Sequence, residues 1–107
     1  MRAIYNHGAM SNEDRQAAQR RLQDLLTIVR GTPARDQFAR LIEEAEALDR
    51  AISAFHLEGI RFRIYNVDRM VQHPPAPLPP EAGAMVADVR KHLEAAGFHT
   101  RSHQSPT

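Results

Sequence analysis

Two arginines and a tyrosine at alternate positions are the residues of this sequence best placed to bind a ligand. Arg61, Arg63 and Tyr65 fill the gaps between apolar residues over the range 60–65. Alternation of apolar and polar residues is typical of a β-strand with one buried face. On such a strand the three side chains would project from the other face, about 6.6 Å apart. Two guanidinium groups and a tyrosine ring spaced in this way could bind an acidic peptide, a phosphate or a stacked base.

Two functions are compatible with this row of residues. The leading hypothesis is a non-catalytic protein-interaction module that uses an exposed sheet face, and the alternative is a nucleic-acid-binding domain that uses Arg61, Arg63 and Tyr65 on phosphates. Polar side chains are also the ordinary covering of the wet face of a sheet, so a solvated surface is the simplest interpretation. The formal net charge of +1 provides no overall field for nucleic acid, which makes that partner the less favoured one.

Six histidines in 107 residues raise the question of a metal site. His99 and His103 have the spacing of two ligands on a helix, but the residues around them favour a strand or a tail. Cysteine is absent, and the sequence contains no HExxH, GxGxxG, phosphate-loop or GxSxG pattern. We therefore predict no catalytic residue, no metal ligand and no cofactor. A small enzyme or metal-binding domain around His56, His92 and His99 is the least favoured hypothesis.

Length and composition predict a single soluble domain over residues 1–107. Thirteen of the 14 basic residues are arginine, a bias more typical of genomic base composition, as in bacteria, than of a binding site. No apolar run has the roughly 20 residues of a membrane helix, and the first residues do not resemble a secretory signal. We expect a cytoplasmic protein, monomeric or homodimeric, with an unknown protein partner and no membrane association.

Three helices are predicted to position the candidate strand. The first begins with capping residues at Ser11 or Asn12 and ends at Gly31. The second begins at Thr32-Pro33 and carries an apolar stripe from residue 38 to Phe55. Because the link between them is very short, these two helices should form an antiparallel hairpin.

The remaining predicted elements are a third helix and two weaker strands. A connector rich in proline, residues 72–80, joins the main strand to a helix that begins at Pro80-Glu81 and stops at Gly97. The connector also contains PxxP spacing, which could dock in an aromatic groove, although a structural link is the preferred interpretation. Residues 98–101 and 2–6 are candidate strands, and residues 102–107 should form a flexible tail.

Together these elements predict a small two-layer α+β domain. Their order would be β-α-α-β-α-β, with the helical hairpin and the third helix packed on one face of a two- or three-stranded sheet. One helical layer leaves the other sheet face exposed. The predicted architecture therefore places the row of Arg61, Arg63 and Tyr65 on an open surface.

Overall fold

The structure, a computed structural model, describes residues 2–98, with side chains from residue 12 onward, and every regular element in this range is helical. Because no strand occurs between residues 2 and 98, the predicted α+β fold with a sheet is wrong. The elements are α1 (Arg2–Arg30), a 3₁₀ helix (Arg35–Phe38), α2 (Ala39–Ser53), α3 (Leu57–Gln72) and α4 (Glu81–Ala95). No helix within these residues is long and apolar enough to cross a membrane.

The four helices form a closed array in which each helix packs against two others. The most extensive packing joins α1 to α4 and α2 to α3, while smaller contacts between α1 and α2 and between α3 and α4 complete the ring. Each helix contributes an apolar stripe, as expected for a helix with one buried face. The largest fully buried side chains are Leu22, Leu25, Leu26, Val29, Phe38, Leu48, Ile52, Ile60, Ile64, Val67, Val89 and Leu93.

The stretch predicted as the main strand lies inside α3. Ile60, Ile64 and Val67 are completely buried, and their spacing of four and three residues is that of one helical face. Phe62 made the pattern look alternating, but its side chain is 51% exposed. The alternation was therefore produced by one surface aromatic residue set between two core isoleucines.

The start of the first predicted helix is also wrong. The helix begins at Arg2, so the predicted strand over residues 2–6 is helical and Ser11 lies well inside α1. The side chain of Asn12 accepts a hydrogen bond from Arg15, three residues further on. Polar side chains that favour a helix start also occur on helix surfaces when they find a partner of this kind.

The second predicted helix is divided at its beginning. The hydroxyl group of Thr32 donates a hydrogen bond to the carbonyl oxygen of Val29, 3.0 Å away, and therefore faces back towards α1. The chain next forms the 3₁₀ helix, which buries Phe38, before α2 begins at Ala39. The apolar stripe is confirmed as far as Ile52, which is buried, but Phe55 lies beyond the end of α2 and is exposed. The first turn of the predicted helix also has a tighter geometry than an α-helix.

The predicted third helix is confirmed as α4, which runs from Glu81 to Ala95 and is followed by Gly97 at a φ of 101°. The proline-rich segment links two helices rather than a strand and a helix, and its possible role as a ligand stays a prediction. Phe98 lies outside any strand, and residues 99–107, including the rest of the predicted last strand and the tail, lie outside the described residues.

Polar contacts fix neighbouring helices relative to one another. Arg21 on α1 donates to Asp88 on α4 at 3.0 Å and also contacts Asp24 on its own helix. The hydrogen bond with Asp24, followed by that with Asp88, raises the pKa of the Arg21 guanidinium above its ordinary value. Since arginine is charged in any case, this contact will hold over the working pH range. Comparable ion pairs join α1 to α2 through Arg30–Glu46 and α3 to α4 through Arg90–Asp68.

Candidate functional site

Arg61 and Arg63, two of the predicted binding residues, do not share a face of α3. Two residues along an α-helix correspond to a rotation of about 200°, so alternate side chains diverge. Arg63 donates hydrogen bonds to both carboxylate oxygens of Glu44 on α2, at 3.1 and 2.9 Å. Arg61 contacts Glu58 one turn earlier, at 3.3 Å. Arg63 therefore joins two helices, and Arg61 forms a local pair.

The third residue of the predicted row, Tyr65, has a neighbour on its own helix. The guanidinium group of Arg69 lies 5.8 Å from the centre of the Tyr65 ring, and its Nη1 is 3.5 Å from the hydroxyl oxygen. The sheet face that was to carry the row is absent from the described residues. Binding of a partner or of nucleic acid by Arg61, Arg63 and Tyr65 stays a prediction, without the common surface on which it was based.

The histidines with described side chains lie in separate places. Nδ1 of His92 is 3.8 Å from Asp14, and His56 and His73 flank opposite ends of α3. In the part of the chain with described side chains, no group of three or more histidine, aspartate or glutamate residues is arranged to hold a metal ion. The side chains of His7, His99 and His103 lie outside the described residues.

Exposed apolar side chains mark a different surface, at the turn between α2 and α3. Phe55 and Leu57 lie on either side of His56 in this turn, and their side chains are 58% and 37% exposed. The ring of Phe98, which follows α4, lies 6.4 Å from that of Phe55, and the guanidinium group of Arg15 lies 4.5 Å from the Phe55 ring centre. We call Arg15, Phe55, Leu57 and Phe98 the aromatic corner.

Phe55 has an unusual backbone conformation. Its φ is 57°, the one positive value of a non-glycine residue among those described. The N–H of His56 donates to the carbonyl of Ala51 at 3.0 Å, and that of Phe55 donates to Ile52 at 3.1 Å. This pair of bonds defines a Schellman motif, whose left-handed position usually holds glycine. A side chain with a Cβ in this conformation costs about 1–2 kcal/mol.

Contacts within the chain hold the Phe55 ring in place without covering it. Arg15 lies over the ring at a distance suited to a cation–π interaction. The planes of the Phe55 and Phe98 rings are inclined at 36°. More than half of the Phe55 side chain is nevertheless exposed. The corner thus presents an aromatic ring whose position is already fixed by neighbours on α1 and after α4.

His56 forms hydrogen bonds at the end of α2 and at the start of α3, which keeps the turn between them short. Its backbone N–H closes the Schellman motif of α2, while its Nδ1 accepts a hydrogen bond from the N–H of Gly59 at 2.9 Å and caps α3. A Cβ on Gly59 would lie only 2.6 Å from that nitrogen, so the cap requires glycine at this position. One residue therefore separates the left-handed Phe55 from the first residue of α3.

Sequence reasoning missed this corner because it carries none of the usual turn residues. Phe55 ended a predicted helical stripe, and no glycine, proline or asparagine follows within residues 54–58. Gly59 was the available signal, since a glycine three residues after a possible acceptor fits the first turn of a capped helix. Comparison of the chain with models of protein families, with curated proteins and with solved structures found no match.

Proposed function

We propose that this protein is a non-catalytic helical interaction module that contacts a partner protein through the aromatic corner. The observation that carries the proposal is Phe55, an exposed aromatic residue in a backbone conformation that favours glycine. Glycine at this position would remove the backbone strain and an exposed apolar side chain together. Strained residues are often retained at functional positions.

The chemistry of the corner is suited to contact with protein. Aromatic residues and arginine are enriched among the residues that contribute most to binding energy at interfaces. A ring already ordered by Arg15 and Phe98 loses little conformational freedom on binding, which favours affinity. Leu57 extends the apolar surface beside the ring. Single exposed apolar residues are common on soluble proteins, so the strained conformation of Phe55 distinguishes this group.

Site-specific photocrosslinking tests the proposal in cells. A benzophenone analogue of phenylalanine replaces Phe55 in one variant and Phe62 in the other. Phe62 is a matched control because it is 51% exposed and also has an arginine near its ring, Arg63 at 5.1 Å, but lies on the helical surface of α3. We expect a discrete crosslinked protein with the probe at position 55 and none of that product with the probe at position 62.

A second substitution connects the crosslink to the corner. Leu57→Ser should reduce the crosslink from position 55 because it removes apolar surface beside the ring while leaving the turn hydrogen bonds in place. Equal products from positions 55 and 62, or no protein product from position 55, would contradict the proposal. A product that contains a second copy of the chain would identify the partner as the protein itself.

A further inference from the structure

A small apolar pocket lies at the end of the α2–α3 pair opposite to the aromatic corner. It forms where the 3₁₀ helix, the first turn of α2, the end of α3 and the proline-rich segment meet, and its volume is about 170 Å³. Phe38 and Leu41, both buried in the core, line its interior together with Met70 and Pro75. The interior therefore offers apolar contact and few hydrogen-bonding groups.

The polar part of the pocket comes from Arg40, His73 and Gln37. Arg40 and His73 are exposed, and neither side chain forms a hydrogen bond or ion pair with another described residue. Asp36 precedes Arg40 by four residues, a spacing that pairs such side chains on an α-helix. Asp36 lies in the 3₁₀ helix and Arg40 in α2, and Asp36 does not line the pocket.

This combination differs from the arginines that link helices among the residues with described side chains. Arg21, Arg30 and Arg63 are each paired with a carboxylate and contribute to contacts between helices. Arg40 instead lines an apolar cavity whose lining contains no acidic residue. A planar guanidinium binds a carboxylate through two parallel hydrogen bonds. An occupant that supplies both a carboxylate and an apolar body matches the two halves of the pocket.

We propose that this pocket binds a small monocarboxylic acid, with its apolar body against Phe38, Leu41 and Met70 and its carboxylate at Arg40. The pocket volume of about 170 Å³ is below the roughly 300–1,000 Å³ of sites for drug-sized ligands. The ligand is therefore the size of a four-carbon acid or a single ring acid. This site is separate from the aromatic corner and does not depend on the interaction proposed there.

Titration of the ¹⁵N-labelled full-length chain with sodium benzoate tests the site. We expect saturable shifts of the amide signals of residues 37–41, Met70 and His73, with affinity in the millimolar range typical of so small a ligand. Benzamide has the same ring and no charge, and it should bind about tenfold more weakly because the charge-assisted hydrogen bonds are lost. Phenyl phosphate tests whether the site prefers a carboxylate to another anion.

Two variants distinguish binding in the pocket from non-specific binding of the anion to an exposed arginine. Arg40→Gln should weaken benzoate binding about tenfold. Arg35→Gln is the matched control, because Arg35 is a nearby exposed arginine that does not line the pocket, and its affinity should equal that of the unmodified chain. Equal binding of benzamide, tighter binding of phenyl phosphate, an unchanged affinity in Arg40→Gln, or the absence of localised saturable shifts would each overturn the proposal.

Discussion

The ends of α2 and α4 have the same hydrogen-bond pattern and different residues at its critical position. At the end of α4, the N–H of Phe98 donates to Leu93 at 2.9 Å and that of Gly97 donates to Glu94 at 3.0 Å. The corresponding bonds at the end of α2 come from His56 and Phe55. Both helices therefore end in a Schellman motif, with glycine in the left-handed position in one and phenylalanine in the other.

The two ends also differ in backbone strain and in the burial of the aromatic residue. Gly97 takes its left-handed conformation without a Cβ penalty, and the next residue, Phe98, packs against the core. Phe55 bears that penalty and leaves most of its ring in solvent. The turn at the end of α2 does not need an aromatic side chain to form, since the end of α4 forms with glycine. Our functional proposal rests on this contrast.

The largest expected effect is on the aromatic residue of the α4 end. Phe98→Ala should lower the free energy of unfolding by about 2 kcal/mol, less than the 3–5 kcal/mol of a fully buried phenylalanine because part of the ring is exposed. Phe55→Ala should lower the free energy of unfolding by less than about 1 kcal/mol, because more than half of the Phe55 side chain is exposed. Urea denaturation of both variants measures the difference. Equal losses would show that the Phe55 ring is as important for stability as that of Phe98.

A smaller effect is expected at the glycine of the α4 end. Gly97→Ala should cost about 1 kcal/mol, because its φ of 101° disfavours a side chain although a Cβ would meet no atom within 4 Å. Gly83→Ala is the control, since Gly83 lies inside α4 with equally open space and a helical backbone. This control should be stabilised by roughly 0.5–1 kcal/mol in thermal or urea unfolding. A stabilised Gly97→Ala variant would remove the basis of the comparison.

Two substitutions at position 55 test the strain directly. Phe55→Gly and Phe55→Ala both remove the ring, but only glycine relieves the left-handed conformation. The glycine variant should therefore be about 1 kcal/mol more stable than the alanine variant in urea denaturation. Equal stability of the two variants would show that the backbone of Phe55 carries no measurable strain, and would contradict a functional role inferred from that strain.

The smallest effect is expected for the cap that follows Phe55. His56→Ala should cost roughly 0.5–1 kcal/mol, because Nδ1 no longer accepts the Gly59 N–H in an exposed cap. Gly59→Ala should be destabilising when His56 is present, owing to the 2.6 Å approach, and stabilising in the His56→Ala background. A double-mutant cycle of unfolding free energies measures this change of sign. The same effect of Gly59→Ala in both backgrounds would show that the two residues are independent.

Several helix ends that carry local signals were predicted correctly, although the capping residues Ser11 and Asn12 indicated a start that lies inside α1. The end of the first helix near Gly31 and both ends of α4, from Glu81 to the stop at Gly97, agree with the structure. The prediction was wrong where the same apolar pattern was compatible with both a strand and a helix. Ile60 and Ile64 fit both a strand and a helix, and Phe62 favoured the strand because a surface aromatic residue was assigned to the core.

The aromatic corner could not be predicted from local sequence. Phe55 and Phe98 are 43 residues apart, and they meet because α4 packs on α1 while α2 packs on α3. The predicted row of Arg61, Arg63 and Tyr65 depended on the strand and lost its common face when the stretch proved helical. Candidate sites that rest on a secondary-structure assignment share the errors of that assignment.

The amount and spacing of apolar residues, the positions of the proline and glycine breaks, and the nearly neutral charge follow from the residues alone. These properties can be recognised in the sequence without knowledge of the fold, because they do not depend on contacts between distant residues. The packing of the helices was needed to establish that residues 60–65 are helical, that Phe55 follows α2 in a left-handed conformation, and that Arg15 and Phe98 flank its ring. The physical reason is that a helical face is stable only where another helix covers it, and that partner lies far away in the chain.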